Sequence, residues 1–182
     1  MEMSQPMMAS GSVHATKLAL PWWGYVIGGF EIIGGIAGIG VWASAADGIF
    51  ARRLGQPVLT FGDWLLGMVM LCLFVVTAVA GALLLIRRRV GWLLSRAVQA
   101  AQLVQFNLFG VTYLFASGAH AAIGWSWPDQ ITFRYQVGST FEIWVGTPTA
   151  PFFVAINGVA VVLFGLLMSA PNNSSPSTRV AG

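Results

Sequence analysis

Between Pro21 and Ala43 the chain reads Pro-Trp-Trp-Gly-Tyr-Val-Ile-Gly-Gly-Phe-Glu-Ile-Ile-Gly-Gly-Ile-Ala-Gly-Ile-Gly-Val-Trp-Ala, an apolar, glycine-rich run with one charged side chain, Glu31. Its length matches the roughly 20 residues a helix needs to cross a hydrocarbon core. A carboxyl at that depth costs about 2.5–3.5 kcal/mol on insertion scales, so something must shelter it. The helix carrying Glu31 therefore needs a neighbour that offers hydrogen bonds.

Glycines repeat around the acid. At roughly 100° per residue, Gly24, Gly28, Glu31, Gly35 and Gly38 share a stripe about 80° wide. Small residues four apart let another helix approach closely. This stripe is expected to be a helix-packing seam with Glu31 turned into the contact, away from lipid. Two uses of the carboxyl fit: a structural hydrogen-bond acceptor within the seam, or a protonation or ligand site.

Composition extends the argument to the whole chain. It is 57% hydrophobic and 8% charged, against about 25% charged in soluble domains. A chain of 182 residues is too short to hide that much apolar surface from water. Four segments read as transmembrane helices, at about 21–43, 64–86, 92–117 and 151–169. The expected fold class is an all-α membrane protein, a four-transmembrane-helix bundle with a small extracytoplasmic β-hairpin between helices 3 and 4. Residues 1–20 are expected to be a mobile cytoplasmic N-terminus, residues 170–182 a disordered cytoplasmic tail, and residues 44–63 a loop.

Basic residues set the expected orientation. Arg87, Arg88 and Arg89 lie between the second and third spans, with Arg96 one turn further on. Positive residues concentrate on the cytoplasmic side, where they also contact headgroups. Both termini then fall in the cytoplasm, and the chain reads as a multi-pass protein of the plasma (inner) membrane. Arg52 and Arg53 oppose this orientation, partly balanced by Asp47 and Asp63.

The third span supplies partners for the acid. Ser95, Gln99 and Gln102 share one face. Counted at 1.5 Å per residue, Glu31, Gln99 and Gln102 lie roughly 10–15 Å from the cytoplasmic interface. An intramembrane polar site of Glu31, Gln99 and Gln102 follows, with the first and third spans packed together. The competing use of the glutamines is amide pairing across a homodimer. Asn107 and Asn157, on the third and fourth spans, are expected to be packing glue.

The stretch before the fourth span differs in kind. Ile131–Val137 and Thr140–Val145 alternate apolar and polar residues around Gly138-Ser139, a hairpin pattern. A three-residue loop would align the apolar faces and set Arg134 opposite Glu142 as an ion pair.

Several function classes lose support. The lone Cys72 has no CxxC partner, and the two histidines, His14 and His120, have no cluster of other ligands around them. The nucleophile elbow, the P-loop, the zinc-protease motif and paired carboxylates are missing. The net charge of +3 is not organised as a basic, aromatic-rich nucleic-acid surface. The expected protein is non-enzymatic and without cofactor or metal: an accessory, scaffold or assembly component that uses the glycine face. Its partners would be the lipid bilayer and either a second copy, as a homo-oligomer, or another membrane protein. The alternative is a small proton-coupled transporter or channel acting as a dimer, with Glu31 as its protonatable site.

Overall fold

The structure, a computed structural model, describes residues 20–51, 61–145 and 152–169. The expectations for the two termini fall outside the described residues, as do residues 52–60 of the expected loop; the rest of that loop is helical instead, 44–51 continuing α1 and 61–63 opening α2. The elements run α1 (Trp22–Ala51), α2 (Phe61–Leu85), α3 (Arg89–Gln102), β1 (Val104–Leu108), β2 (Val111–Ala116), β3 (Ala119–Ser126), β4 (Gln130–Val137), β5 (Thr140–Val145), β6 (Phe153–Asn157) and α4 (Gly158–Ser169).

Among the described residues two helices are long and apolar enough to cross a membrane, over Trp22–Ser44 and Trp64–Leu85. They form an antiparallel pair along the glycine face. A Cβ at Gly35 would stand 2.6 Å from the backbone nitrogen of Ala78 and 2.7 Å from the carbonyl oxygen of Phe74. One at Gly81 on α2 would stand 2.4 Å from the carbonyl oxygen of Gly28. Backbone thus lies against backbone, which only the absence of side chains permits. A sharp turn with Arg87 at φ 61° sends the chain back into α3. There Gly91 presses on the α2 backbone in the same way, its would-be Cβ 2.4 Å from the nitrogen of Leu84.

The four-span, all-α expectation fails at Gln102. The described residues form four helices and a six-stranded antiparallel sheet. Val104-Gln105-Phe106-Asn107-Leu108 alternates with period two and carries strand-forming side chains. Phe109 and Gly110, at φ 51° and 83°, close a two-residue loop into β2, as tight hairpins require. The fourth segment also begins as a strand, and only 12 residues of it are helical. That is roughly 18 Å of helix, short of a core about 30 Å thick. Average hydropathy concealed β1, β2 and β6, because an apolar strand and an apolar helix weigh the same.

The predicted hairpin is also corrected. The sheet order is β4-β3-β6-β1-β2-β5, so β4 and β5 sit at opposite edges. β4 pairs with β3, β5 with β2, and one register runs through both ladders, from Val111↔Val145 through Ala116↔Thr140 and Ala119↔Val137 to Ser126↔Gln130. The segments 111–126 and 130–145 are therefore the two strands of one long ribbon. Its turn is Trp127-Pro128-Asp129, with a cis Trp127–Pro128 bond. Gly138-Ser139 marks a corner in that ribbon. Gly118 and Gly138 take φ 94° and 131° there, and the Gly138 N–H donates to the Gly118 carbonyl at 2.5 Å. In a flat sheet, three strand steps from β2 to β3 would span about 14 Å. The three-residue link Ala116–Ala119 reaches at most about 10–11 Å. The sheet must curl.

The curled sheet exposes an apolar surface along β3 and β4. Gln105, His120, Ser126 and Asn157 are buried on the inner face, together with the apolar Ala122, Phe153 and Ala155. The outer face carries Ile123, Trp125, Ile131, Phe133, Tyr135 and Val137, with Tyr135 89% and Val137 88% exposed. The register makes these residues cross-strand neighbours, Ile123↔Phe133 and Trp125↔Ile131 among them, so the exposed apolar surface is continuous. At the other end of the molecule Leu20, Ile27, Leu84, Trp92 and Leu167, contributed by or adjoining all four helices, form an apolar cluster. Trp23 meets Trp92 edge-on at 5.6 Å. The Arg96 guanidinium donates twice to the Leu167 carbonyl, at 3.1 and 2.8 Å, satisfying a carbonyl near the end of α4.

Candidate functional site

Glu31 sits on α1 and is 1% exposed. Room for it comes from Gly81 on α2, where an added Cβ would stand 2.9 Å from the Glu31 Cβ. Its two oxygens are reached from α3. Ser95 Oγ donates to Oε2 at 2.6 Å and Gln99 Nε2 donates to Oε1 at 3.0 Å. The donors are four residues apart, one turn of helix, which places both on the face turned to α1. Both are buried and uncharged.

Gln102 lies on the same face one turn further along but takes a different partner. Its Oε1 accepts the Ser117 N–H at 3.0 Å, at the corner of the ribbon. The structure thus brings Glu31 and Gln99 together with Ser95 and assigns Gln102 to the sheet. The corner is tied to α1 as well. Ser139 Oγ donates to the Gly34 carbonyl at 2.5 Å and accepts the Gly118 N–H at 3.2 Å. Gly34 is as tightly placed as the seam glycines, its would-be Cβ 2.6 Å from Ser117 Oγ.

Of the seam residues, Gly28, Gly35 and Gly38 meet α2, with Gly38 against the ring of Phe74. Gly24 meets only the flexible side chain of Leu20. The seam therefore serves the α1–α2 contact, and α3 is reached by the Glu31 side chain. Arg87 donates from Nη2 to the Tyr25 hydroxyl at 2.5 Å, while Arg88 and Arg89 are exposed beside it. Arg134 and Glu142 are not brought together. Arg134 is opposite Ala122 and its guanidinium lies 4.5 Å over the Phe153 ring, whereas Glu142 is opposite Leu114.

Two participants were missed in the sequence, and a third, Asn157, was expected as packing glue but takes another role. Gly34 and Gly81 lie in glycine-rich helices, where spacing alone does not reveal which glycine meets what. Asn157 is an N-cap: its Oδ1 accepts the N–H groups of Val159, Ala160 and Ala121 at 3.2, 3.5 and 3.4 Å. The signal was an Asn directly before a helical run. Asn107 sits on β1 opposite Phe153, apart from that cap.

His120, buried on β3, has its pKa lowered, first by burial and then by the charge of Arg134. Among the described residues no group of three or more His, Cys, Asp or Glu side chains converges as metal ligands would. The chemistry open to the Glu31 site is the exchange of one proton, or acceptance of hydrogen bonds from neutral donors. No family model, curated protein or solved structure matches the chain.

Proposed function

We propose that this chain is a non-enzymatic integral membrane protein that serves as an assembly component. The α1–α2 pair crosses the bilayer as a hairpin, with the Arg87–Arg89 turn on the cytoplasmic side of a plasma (inner) membrane, in accord with the positive-inside tendency. The observation that carries the reading is the apolar outer surface of the β3–β4 pair. On β4 polar side chains alternate with outward apolar ones, the pattern of β-structure whose surroundings are hydrocarbon. The edge strand β4 carries four of the apolar outer residues: Ile131, Phe133, Tyr135 and Val137.

That edge also indicates what the protein does there. Unpaired strand edges are not tolerated against lipid, and in water they are usually blunted by charge, proline or bulges. On β4 the only charge, Arg134, lies on the inner face over Phe153. The strand is suited to pairing with another membrane-embedded chain, most simply a second copy.

The test places a photo-crosslinking residue at Tyr135, and separately at Ile33 on the exposed side of α1, in full-length protein in its native membrane. Extraction with alkaline carbonate precedes crosslinking. The protein should remain in the membrane fraction, and Tyr135 should give a discrete protein adduct while Ile33 gives lipid adducts. Release by carbonate, or a Tyr135 site that captures only water, would refute the proposal.

A further inference from the structure

Among the described residues, six buried polar atoms have no hydrogen-bond partner: Gln102 Nε2, Gln105 Nε2 and Oε1, Ser117 Oγ, His120 Nδ1 and Asn157 Nδ2. None of the five residues is more than 4% exposed. Their neighbours place them in one region. Gln102 Oε1 accepts from the Ser117 backbone. The Asn157 N–H donates to the carbonyl of Leu103, next to Gln102. Gln105 is opposite Ala155 and Ala122 is opposite Asn157. Gln105 and His120 therefore each stand one diagonal step, roughly 7–8 Å, from Asn157 on the inner face. The oxygens of Gln102 and Asn157 are already engaged, so their amide nitrogens remain as donors.

Orphan donors and acceptors gathered in one buried region match the setting of buried water, which typically makes about three such bonds. The nest is also adjacent to the acid. Ser117 touches Gly34, one turn along α1 from Glu31, and Gln102 is one turn along α3 from Gln99. On the opposite side of Glu31 the apolar cluster of Leu20, Ile27, Leu84, Trp92 and Leu167 closes the bundle.

We propose that this nest holds a chain of bound water that gives Glu31 proton access from the sheet side alone, making the carboxyl the blind end of a hydrated half-channel. In the exchange step the carboxyl O–H bond breaks and a water O–H bond forms, giving carboxylate and hydronium, and the reverse step returns the proton. The groups facing Glu31 are Ser95 and Gln99 from α3 and Gly81 from α2. Among the described residues the titratable and charged groups around the nest are His120, Arg134, whose charge acts on it, and Tyr113, which donates to the Ala101 carbonyl beside Gln102. This inference concerns the interior and holds whether or not β4 pairs with another chain.

The experiment follows deuterium exchange of the protonated carboxyl by infrared spectroscopy, using full-length protein in liposomes at acid pH, with Glu31→Gln identifying the band. Gln105→Leu is the informative variant, because among the described residues the Gln105 amide has no hydrogen bond to lose and an apolar side chain of similar size disfavours water there. Gln105→Met repeats the test with a closer shape. Wild type should exchange within the dead time of mixing, and both variants should slow the carboxyl at least tenfold with unchanged amide bands. Equal rates in wild type and variants, slow exchange in wild type, or no Glu31 carboxyl band under acid conditions would each overturn the proposal.

Discussion

Gly35→Ala adds one methyl group at the closest part of the α1–α2 contact. That carbon would lie 2.6 Å from the Ala78 nitrogen, 2.7 Å from the Phe74 oxygen and 2.8 Å from the Ala78 Cβ. Two of the three atoms are backbone, so no rotamer change relieves the clash and the helices must separate by roughly 1 Å to restore ordinary contact. Overpacking of a closed core costs about 1–3 kcal/mol. At about 1.4 kcal/mol per tenfold, the folded-to-unfolded ratio should fall roughly 5- to 150-fold. Gly29→Ala is the matched control on the same helix, since nothing lies within 4 Å of its would-be Cβ. Reversible unfolding in mixed micelles, followed by tryptophan fluorescence, measures both. Gly35→Ala as stable as wild type, or Gly29→Ala equally damaging, would refute the assignment of this face to α2.

Glu31→Leu should destabilise by about 1–3 kcal/mol for each buried donor left unmatched at Ser95 and Gln99. Glu31→Gln, which retains an acceptor for one donor and a dipole for the other, should cost less than about 1 kcal/mol in the same unfolding assay. His120 should make stability pH-dependent. Its pKa is depressed in the folded protein, so the unfolded chain binds the proton first as pH falls below about 6.5. Stability should be level above that value and decline beneath it, and His120→Gln should flatten the decline in melts at pH 5 and 7.5. Asn157→Ala should cost about 0.5–2 kcal/mol through loss of the α4 cap, seen as earlier hydrogen exchange of the Val159 and Ala160 amides.

The two long helices were legible because length and apolarity act over a whole segment. Glu31 and Gln99 stand at one height because rise per residue is constant, so counting from the flanking tryptophans, Trp22-Trp23 and Trp92, suffices. Where α3 ends was not legible from hydropathy, although Gln105 and Asn107, two apart among apolar neighbours, carried the period of a strand. Strand partners were harder still. The alternation in 131–145 marks strands correctly but is silent on pairing, and a glycine-serine corner resembles a hairpin turn locally. Only the ribbon's register, set across residues far apart in the chain, separates β4 from β5. That separation leaves Arg134 and Glu142 without each other.

Gly34 lies three residues after Glu31 on the same helix, and its carbonyl anchors Ser139 at the bend of the ribbon. One rigid helix therefore joins the acid to the bend as a crank joins a handle to a wheel. A twist of α1 that disengages the carboxyl from Ser95 and Gln99 also drags the bend, and with it the outer edge of the sheet. Under the proposed reading, a partner at that edge and a proton on the carboxyl would bear on the same helix, three residues apart.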